Sequence, residues 1–219
     1  MANKCFTKLS PRSQSSLISQ LHKMINYYSS IFCSRERVYL KTLGDQDGNI
    51  YWLEDNHKQI SAVALLDPKY RFENSEVNFL TIGHTISNKV GEMDKLLYHV
   101  FTDHEDDSMF LLCKEFVAET MGVGEYGMVN FTSLEIRDLM PELANARTDY
   151  FNVTHETLFD GMVRKNHHGF IKISNPDLEK IKTTNPKLYE TYNQKLEAVN
   201  LEIERIAAEM EESKAMGYL

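Results

Sequence analysis

The sequence predicts a mixed α/β fold, with a central, mostly antiparallel sheet flanked by helices and a long amphipathic helix at the C-terminus. Three observations predict it. Apolar residues between Ser10 and Ile31 recur at spacings of three and four. Ile50–Glu54, Ile60–Leu66 and Glu76–Thr85 read as strands, the last with the alternation of period two. From Tyr189 to Met210, apolar residues repeat in heptads.

Each element arises from its own pattern. Pro11 suits a first helical turn, where its missing N–H costs nothing, and Leu17, Leu21, Met24, Tyr28 and Ile31 share one face of the helix it opens. Val38–Leu40 reads as a short strand before the turn chemistry of Gly44–Asn49. Ile50–Glu54 and Ile60–Leu66 read as two strands of a hairpin around Asp55-Asn56-His57-Lys58, and Glu76–Thr85 as a further strand. Ser87–Gly91 breaks that strand, and Glu92–Phe101 forms a helix with Met93, Leu96, Leu97, Val100 and Phe101 on its apolar side. After an acidic loop, Thr102–Ser108, the wholly apolar Met109–Cys113 reads as a central strand.

The next stretch predicts shorter elements. Phe116–Met121 is a helix ended by Gly122, Gly124 and Gly127, and Met128–Phe131 is a strand. Ser133–Asn145 is a helix capped by Ser133, with a break at Pro141. His155–Asn166 is a short helix and Gly169–Ile173 an edge strand. Asn175-Pro176 and Asn185-Pro186 punctuate the C-terminal segment. From Pro186 onward, Tyr189, Tyr192, Leu196, Val199, Ile203, Ile206 and Met210 form the heptad seam. The expected organisation is an α/β domain over residues 1–175 and a helical extension over 176–219, with the seam of residues 186–213 packing against the protein's own body or a symmetry mate, pairing with a different protein partner, or forming a short free-standing coil.

Composition narrows the function classes. With 32 acidic and 24 basic residues the formal charge is −8, which argues against a nucleic-acid partner. No apolar run approaches the roughly 18 residues of a membrane span, and Met1–Arg12 lacks the apolar centre of a signal peptide, so no membrane association and a cytoplasmic location are expected. Cys5, Cys33 and Cys113 form no Cys-x-x-Cys pair, and Cys113, in an apolar strand, reads as a buried, inert thiol. His155, His167 and His168 lack the spacing of a metal site. Together with Arg164 and Lys165, His167 and His168 read as a basic turn, either solvated or in contact with a phosphate or an acidic partner.

The stretch that bears on chemistry is Gly83–Leu97, GHTISNKVGEMDKLL, at a strand-to-helix turn. Unpaired N–H groups at such a helix start, with the positive end of its dipole, hold phosphate oxygens. The segment resembles the GNAT-type N-acetyltransferase superfamily, whose cofactor turn reads Arg/Gln-x-x-Gly-x-Gly/Ala, often succeeded by x-x-Leu-Leu. Asn88, Gly91 and Met93 occupy the three motif positions here, with Leu96-Leu97 after them. The family has Arg or Gln where this chain has Asn88, and a small residue where it has Met93. The order of elements over residues 15–116 and the hairpin LEDNHKQISAVALL are similar to the family as well.

That resemblance implies acetyl transfer from acetyl-CoA to an amine on a small molecule or a protein. It implies that Thr85, Ile86, Asn88, Lys89, Gly91, Glu92 and Met93 hold the cofactor, with a backbone N–H near Thr85 or Ile86 polarising the thioester. It implies Glu76 or His84 as general base, Tyr126 as the acid that protonates the leaving thiolate, and a V-shaped opening between the strands flanking Ile86, where the pantetheine arm enters. The competing reading is a non-enzymatic interaction module, built on such a fold without its cofactor and assembling through the heptad helix.

Overall fold

The computed structural model describes residues 3–4, 10–28, 50–67, 77–87, 89, 91–113, 115–141 and 168–216. The predicted strand at 38–40, the turn at 44–49 and the helix at 155–166 lie outside these residues. Among the described residues, seven strands join in one sheet: β1 (Asn3–Lys4), β2 (Ile50–Glu54), β3 (Ile60–Asp67), β4 (Phe79–Ser87), β5 (Ser108–Cys113), β6 (Val129–Phe131) and β7 (His168–Lys172), in the order β1-β2-β3-β4-β5-β7-β6. Every neighbouring pair is antiparallel except β4–β5, which is parallel and is joined by helix α2 (Glu92–Asp103) as a crossover. Helices α1 (Pro11–Tyr28), α3 (Glu115–Thr120), α4 (Ser133–Leu139), α5 (Asn175–Thr184) and α6 (Pro186–Ala215) complete the layers, with a 3₁₀ turn at Val123–Tyr126.

Two apolar clusters lie on opposite faces of the sheet, and β5 feeds both. Met109 and Leu111 join Ala62, Ala64, Leu66 and Ile82 beneath Leu96, Leu97 and Val100 of α2. Phe110 joins Phe131, Ile136 of α4, Ile171, and Leu188 and Tyr192 of α6. A strand buried on both faces has no polar side to show, which accounts for the unbroken apolar run read at 109–113. Elsewhere on the sheet, α1 reaches β3 with Leu17 and Leu21 buried, and Gln20 Oε1 accepts the Ile60 N–H at 2.9 Å.

Three expectations change. The strand read as 76–85 runs from Phe79 to Ser87. The helix read as Ser133–Asn145 is interrupted after Leu139, next to the break read at Pro141, with 142–145 outside the described residues, and its cap is Thr132, not Ser133. Thr132 Oγ1 accepts the Glu135 N–H (3.3 Å) while the Glu135 carboxylate accepts the Thr132 N–H (2.8 Å), a reciprocal box that fixes the start one residue early. Finally, β7 is an interior strand between β5 and β6 rather than an edge. Its glycine explains how it fits there. A Cβ on Gly169 would stand 2.5 Å from Ile136 Cδ1 and 2.9 Å from Phe110 Cε2, so the bare backbone lets α4 and β5 close over the strand.

The heptad helix divides into two halves. Leu188 and Tyr192 are buried, and Tyr189, Leu196 and Val199 pack against the second cluster. Beyond Val199 the seam opens: Ile206 is 44% and Met210 49% exposed. The anchor of the packed half is Tyr192, whose Oη accepts the Ile173 N–H (3.0 Å) and donates to the Gly127 carbonyl (3.2 Å). Tyr192→Phe leaves both backbone groups without that partner in a buried setting. The expected loss is about 1–3 kcal/mol of unfolding free energy in chemical denaturation. A loss of only a few tenths would show that water replaces the hydroxyl.

Candidate active site where strands β4 and β5 part

The parallel ladder between β4 and β5 covers four pairs, from Phe79↔Ser108 to Ile82↔Leu111. There the strands separate. β4 continues along β3 through Leu65↔His84, Ala64↔Thr85, Val63↔Ile86 and Ala62↔Ser87. β5 continues along β7 through Leu112↔Gly169 and Cys113↔His168. The register against β3 skips Gly83, a β-bulge that bends β4 at the point of divergence. The result is a wedge with arms Gly83–Ser87 and Leu112–Cys113. Along the β4 arm, every second residue turns its N–H and C=O away from β3 toward the opening.

The β4 arm leads directly to the start of α2. Gly91 is the N-cap, at φ +76°, with no side-chain cap and nothing within 4 Å of where a Cβ would stand. The left-handed conformation, rather than crowding, is what demands glycine there. Two tethers hold this turn against the β2–β3 hairpin. Lys89 Nζ pairs with Asp55 Oδ2 at 3.2 Å. The Glu92 carboxylate accepts from Lys95 Nζ (3.0 Å) and from Ser61 Oγ (2.9 Å). Asp55 also accepts the Gln59 and His57 N–H groups. The Gln59 N–H, then the His57 N–H and Lys89, hold the Asp55 carboxyl below the usual carboxylate range, and Lys95 and Ser61 do the same for Glu92.

The residues picked out from sequence separate into groups. His84, Thr85 and Ile86 stand on the β4 arm; Lys89, Gly91, Glu92 and Met93 form the turn and the first residues of α2. Met93 is half-buried and packs against the cluster beneath α2. Tyr126 comes from the 3₁₀ turn Val123–Tyr126. Its ring stacks on Phe101 at 4.4 Å and 18°. Phe101 lies nine residues beyond Glu92, about 13 Å along the helix axis. Burial, then Glu125, Asp94 and Tyr98, raise the Tyr126 hydroxyl above its ordinary range. Glu76 and Asn88 lie outside the described residues.

One group at this end of the sheet is not apparent in the sequence. Asn130 of β6 donates from Nδ2 to Glu115 Oε1 (2.7 Å) and faces His168 Nδ1 with Oδ1 (2.9 Å). His168 lies directly opposite Cys113, the last residue of the β5 arm. Cys113 is a free thiol that burial pushes up to about 12, so it remains protonated at neutral pH, in keeping with its reading as inert. No set of three or more metal-binding side chains occurs among the described residues. A second histidine, His104, lies at the far end of α2. Its Nε2 meets Tyr51 Oη (3.2 Å) and its Nδ1 meets Asp107 (2.6 Å).

No family model and no curated protein matches the chain. Among solved structures, one similar to it is described as histone acetyltransferase HPA2 and related acetyltransferase from Corynebacterium glutamicum. That structure is 12% identical, with 80% of this chain and 96% of that chain covered at a TM-score of 0.48. Another is described as an acetyltransferase of the GNAT family from Staphylococcus aureus, 13% identical, with 79% of this chain and 99% of that one covered at a TM-score of 0.46.

The tethers of the turn carry a pH signature. Because Asp55 and Glu92 titrate lower in the folded chain than in the unfolded one, their stabilisation is complete above the unfolded values, about 3.9 and 4.3. It is lost as pH falls below them toward the folded values. Calorimetric melting points should therefore drop on acidification through that window, and the double variant Asp55→Asn, Glu92→Gln should show a shallower drop. An equally steep drop in the variant would mean that these carboxylates do not tie the turn.

Proposed function

We propose that this protein is an acyl-CoA-dependent N-acyltransferase that moves an acetyl group from acetyl-CoA to an amine on a small molecule or a protein. The observation that carries this reading is the wedge between β4 and β5, with a helix N-terminus at the end of its β4 arm. An extended, amide-bearing pantetheine arm matches a strand edge that offers N–H and C=O groups on one side. The pyrophosphate then falls at the Gly91 turn, where helix N–H groups and the helix dipole favour an anion. Thr85, Ile86, Asn88, Lys89, Gly91, Glu92 and Met93 are the residues assigned to this contact.

The chemistry needs an N–H aimed at the thioester oxygen, to stabilise the charge that develops as the amine adds. Thr85 or Ile86 of the β4 arm is the assigned donor. Of the bases read from sequence, Glu76 and His84, the latter stands on this arm. Tyr126, held beside Phe101, retains its proton at neutral pH, as an acid must, and is the residue assigned to protonate the leaving thiolate. Titration of the full chain with acetyl-CoA in a calorimeter tests the reading. Micromolar binding is expected. Gly91→Pro should abolish it, because proline fixes φ near −65° where +76° is needed. No heat of binding at millimolar acetyl-CoA would overturn the proposal.

The outer half of α6 favours a second reading, a protein-interaction role, which is compatible with the first. There Ile206 and Met210 continue the seam as exposed side chains, while Arg205 bridges Glu202 and Glu209 beside them. Since residues 188–199 belong to the core, the informative cut removes 203–219 rather than the whole extension. Light scattering should show an oligomer for the full chain and a monomer for the truncation. The same mass per particle for both would rule out self-association through this seam.

A further inference from the structure

We infer that His168 is the general base of this site, the group that receives the proton of the acceptor amine; the inference rests on the acyltransferase reading. The hydrogen-bond chain behind His168 sets its tautomer. The Glu115 carboxylate can only accept when ionised, so the group facing it across 2.7 Å is the NH₂ of Asn130. That leaves Asn130 Oδ1, an acceptor, facing His168 Nδ1 at 2.9 Å. In the neutral imidazole the proton is therefore on Nδ1, and the lone pair is on Nε2. Nε2 has no hydrogen-bond partner among the described residues. The arrangement is that of a base with an orienting amide behind it and its accepting nitrogen free.

Its place in the sheet puts this nitrogen at the right end of the molecule. His168 opposes Cys113, and directly opposed residues of an antiparallel pair project from the same face. It stands on β7, across the β5 arm from the opening and one strand spacing, about 4.8 Å, beyond that arm. Its side chain, on the face that Cys113 shares, serves an amine held over the end of β5, with water carrying the proton across the remaining gap. Among the described residues, the other titratable groups beside it are Glu115, behind Asn130, and Cys113, whose partly buried thiol keeps its proton and offers no competing nucleophile.

The step balances. The acceptor arrives as an ammonium and gives one proton to Nε2. Its nitrogen then adds to the thioester carbon, forming the C–N bond as the carbonyl electron pair moves onto oxygen. Collapse re-forms the carbonyl and breaks the C–S bond. Of the two protons the nitrogen sheds, one ends on the departing sulfur and one passes to water. The products are the amide and free CoA thiol.

The test monitors release of CoA thiol from acetyl-CoA by the full chain, with a panel of primary amines (spermidine, lysine methyl ester, tyramine), alongside calorimetric affinity for acetyl-CoA. His168→Gln should lower kcat about 100-fold and remove the acid limb of the kcat/KM profile, with acetyl-CoA affinity unchanged within about twofold. Asn130→Ala, which frees the tautomer, should give a smaller fall, about tenfold, and retain the limb. Wild-type kcat and pH profile in His168→Gln, with cofactor still bound, would overturn the inference and leave the acyltransferase reading standing. Loss of cofactor binding in His168→Gln would show a structural role and overturn it as well. If the wild-type chain neither binds acetyl-CoA nor releases thiol, the acyltransferase reading itself fails, and this inference with it.

Discussion

The rest of the architecture depends on how β4 is shared between two neighbours that it cannot both keep. As far as Ile82 it pairs on both sides, with β3 and β5, and its side chains are buried. At Gly83 an extra residue enters the β3–β4 ladder, and from there β4 runs along β3 alone. A bulge bends and twists the strand that carries it, so continued pairing with a straight β5 would strain both. β5 is drawn away in the opposite sense by β7, which stays paired with it through Cys113. Two antiparallel partners pulling one parallel pair apart make the wedge a property of the whole sheet rather than of a loop. It therefore opens on rigid elements, which hold chemical groups in position better than loops do.

The C-terminal helix shows how one repeat can serve two purposes. Its heptad spacing is uniform, yet the first half is a core element and the second is not. The difference comes from what lies beside it. Gly124 and Gly127 bring the 3₁₀ turn close to Val199 and Leu196, with Val199 Cγ1 only 3.1 Å from a Cβ position on Gly124. Tyr192 closes that contact with two backbone hydrogen bonds. Past Val199 the packed surface has ended, and what remains is a helix held by its own turns and by the Glu202–Arg205–Glu209 pairs, which contribute little on an exposed face.

Much of this fold was legible because its signals are local. The hairpin at Asp55, the helix after Gly91, the apolar β5 and the start of α6 at Pro186 all arise from residues within a few positions of one another, where periodicity and turn chemistry act. The errors came where another residue's answer decides. Thr132 becomes the cap because Glu135 answers it, and β7 becomes interior because Ile136 and Phe110, 33 and 59 positions earlier in the chain, close over Gly169. Sequence reasoning placed His84, Thr85, Ile86 and Gly91 on the strand-to-helix turn where they stand, while Tyr126 meets the same helix from the 3₁₀ turn, stacked on Phe101. Glu115, Asn130 and His168 carried no signal of a shared site. They meet only because β7 returns to lie between β5 and β6.

The two histidines within the described hydrogen-bond networks show why satisfaction, rather than residue type, separates structure from chemistry. His104 caps the far end of α2 with both ring nitrogens engaged, one by the Tyr51 hydroxyl and one by Asp107. Burial, then Asp103, raises that tyrosine well above its ordinary range, and its hydroxyl, shared between Asp103 and His104, keeps Nε2 engaged. A ring so held has no lone pair to offer and acts as a brace between α2 and β2. Among the described residues, His168 is held on one side only. Its Nδ1 is committed through Asn130 to Glu115, which orients the ring without using the second nitrogen. The same imidazole is a structural brace at one end of the sheet and a poised proton acceptor at the other. What differs is the number of partners the fold supplies, and the end with one partner fewer is the end where β4 and β5 part.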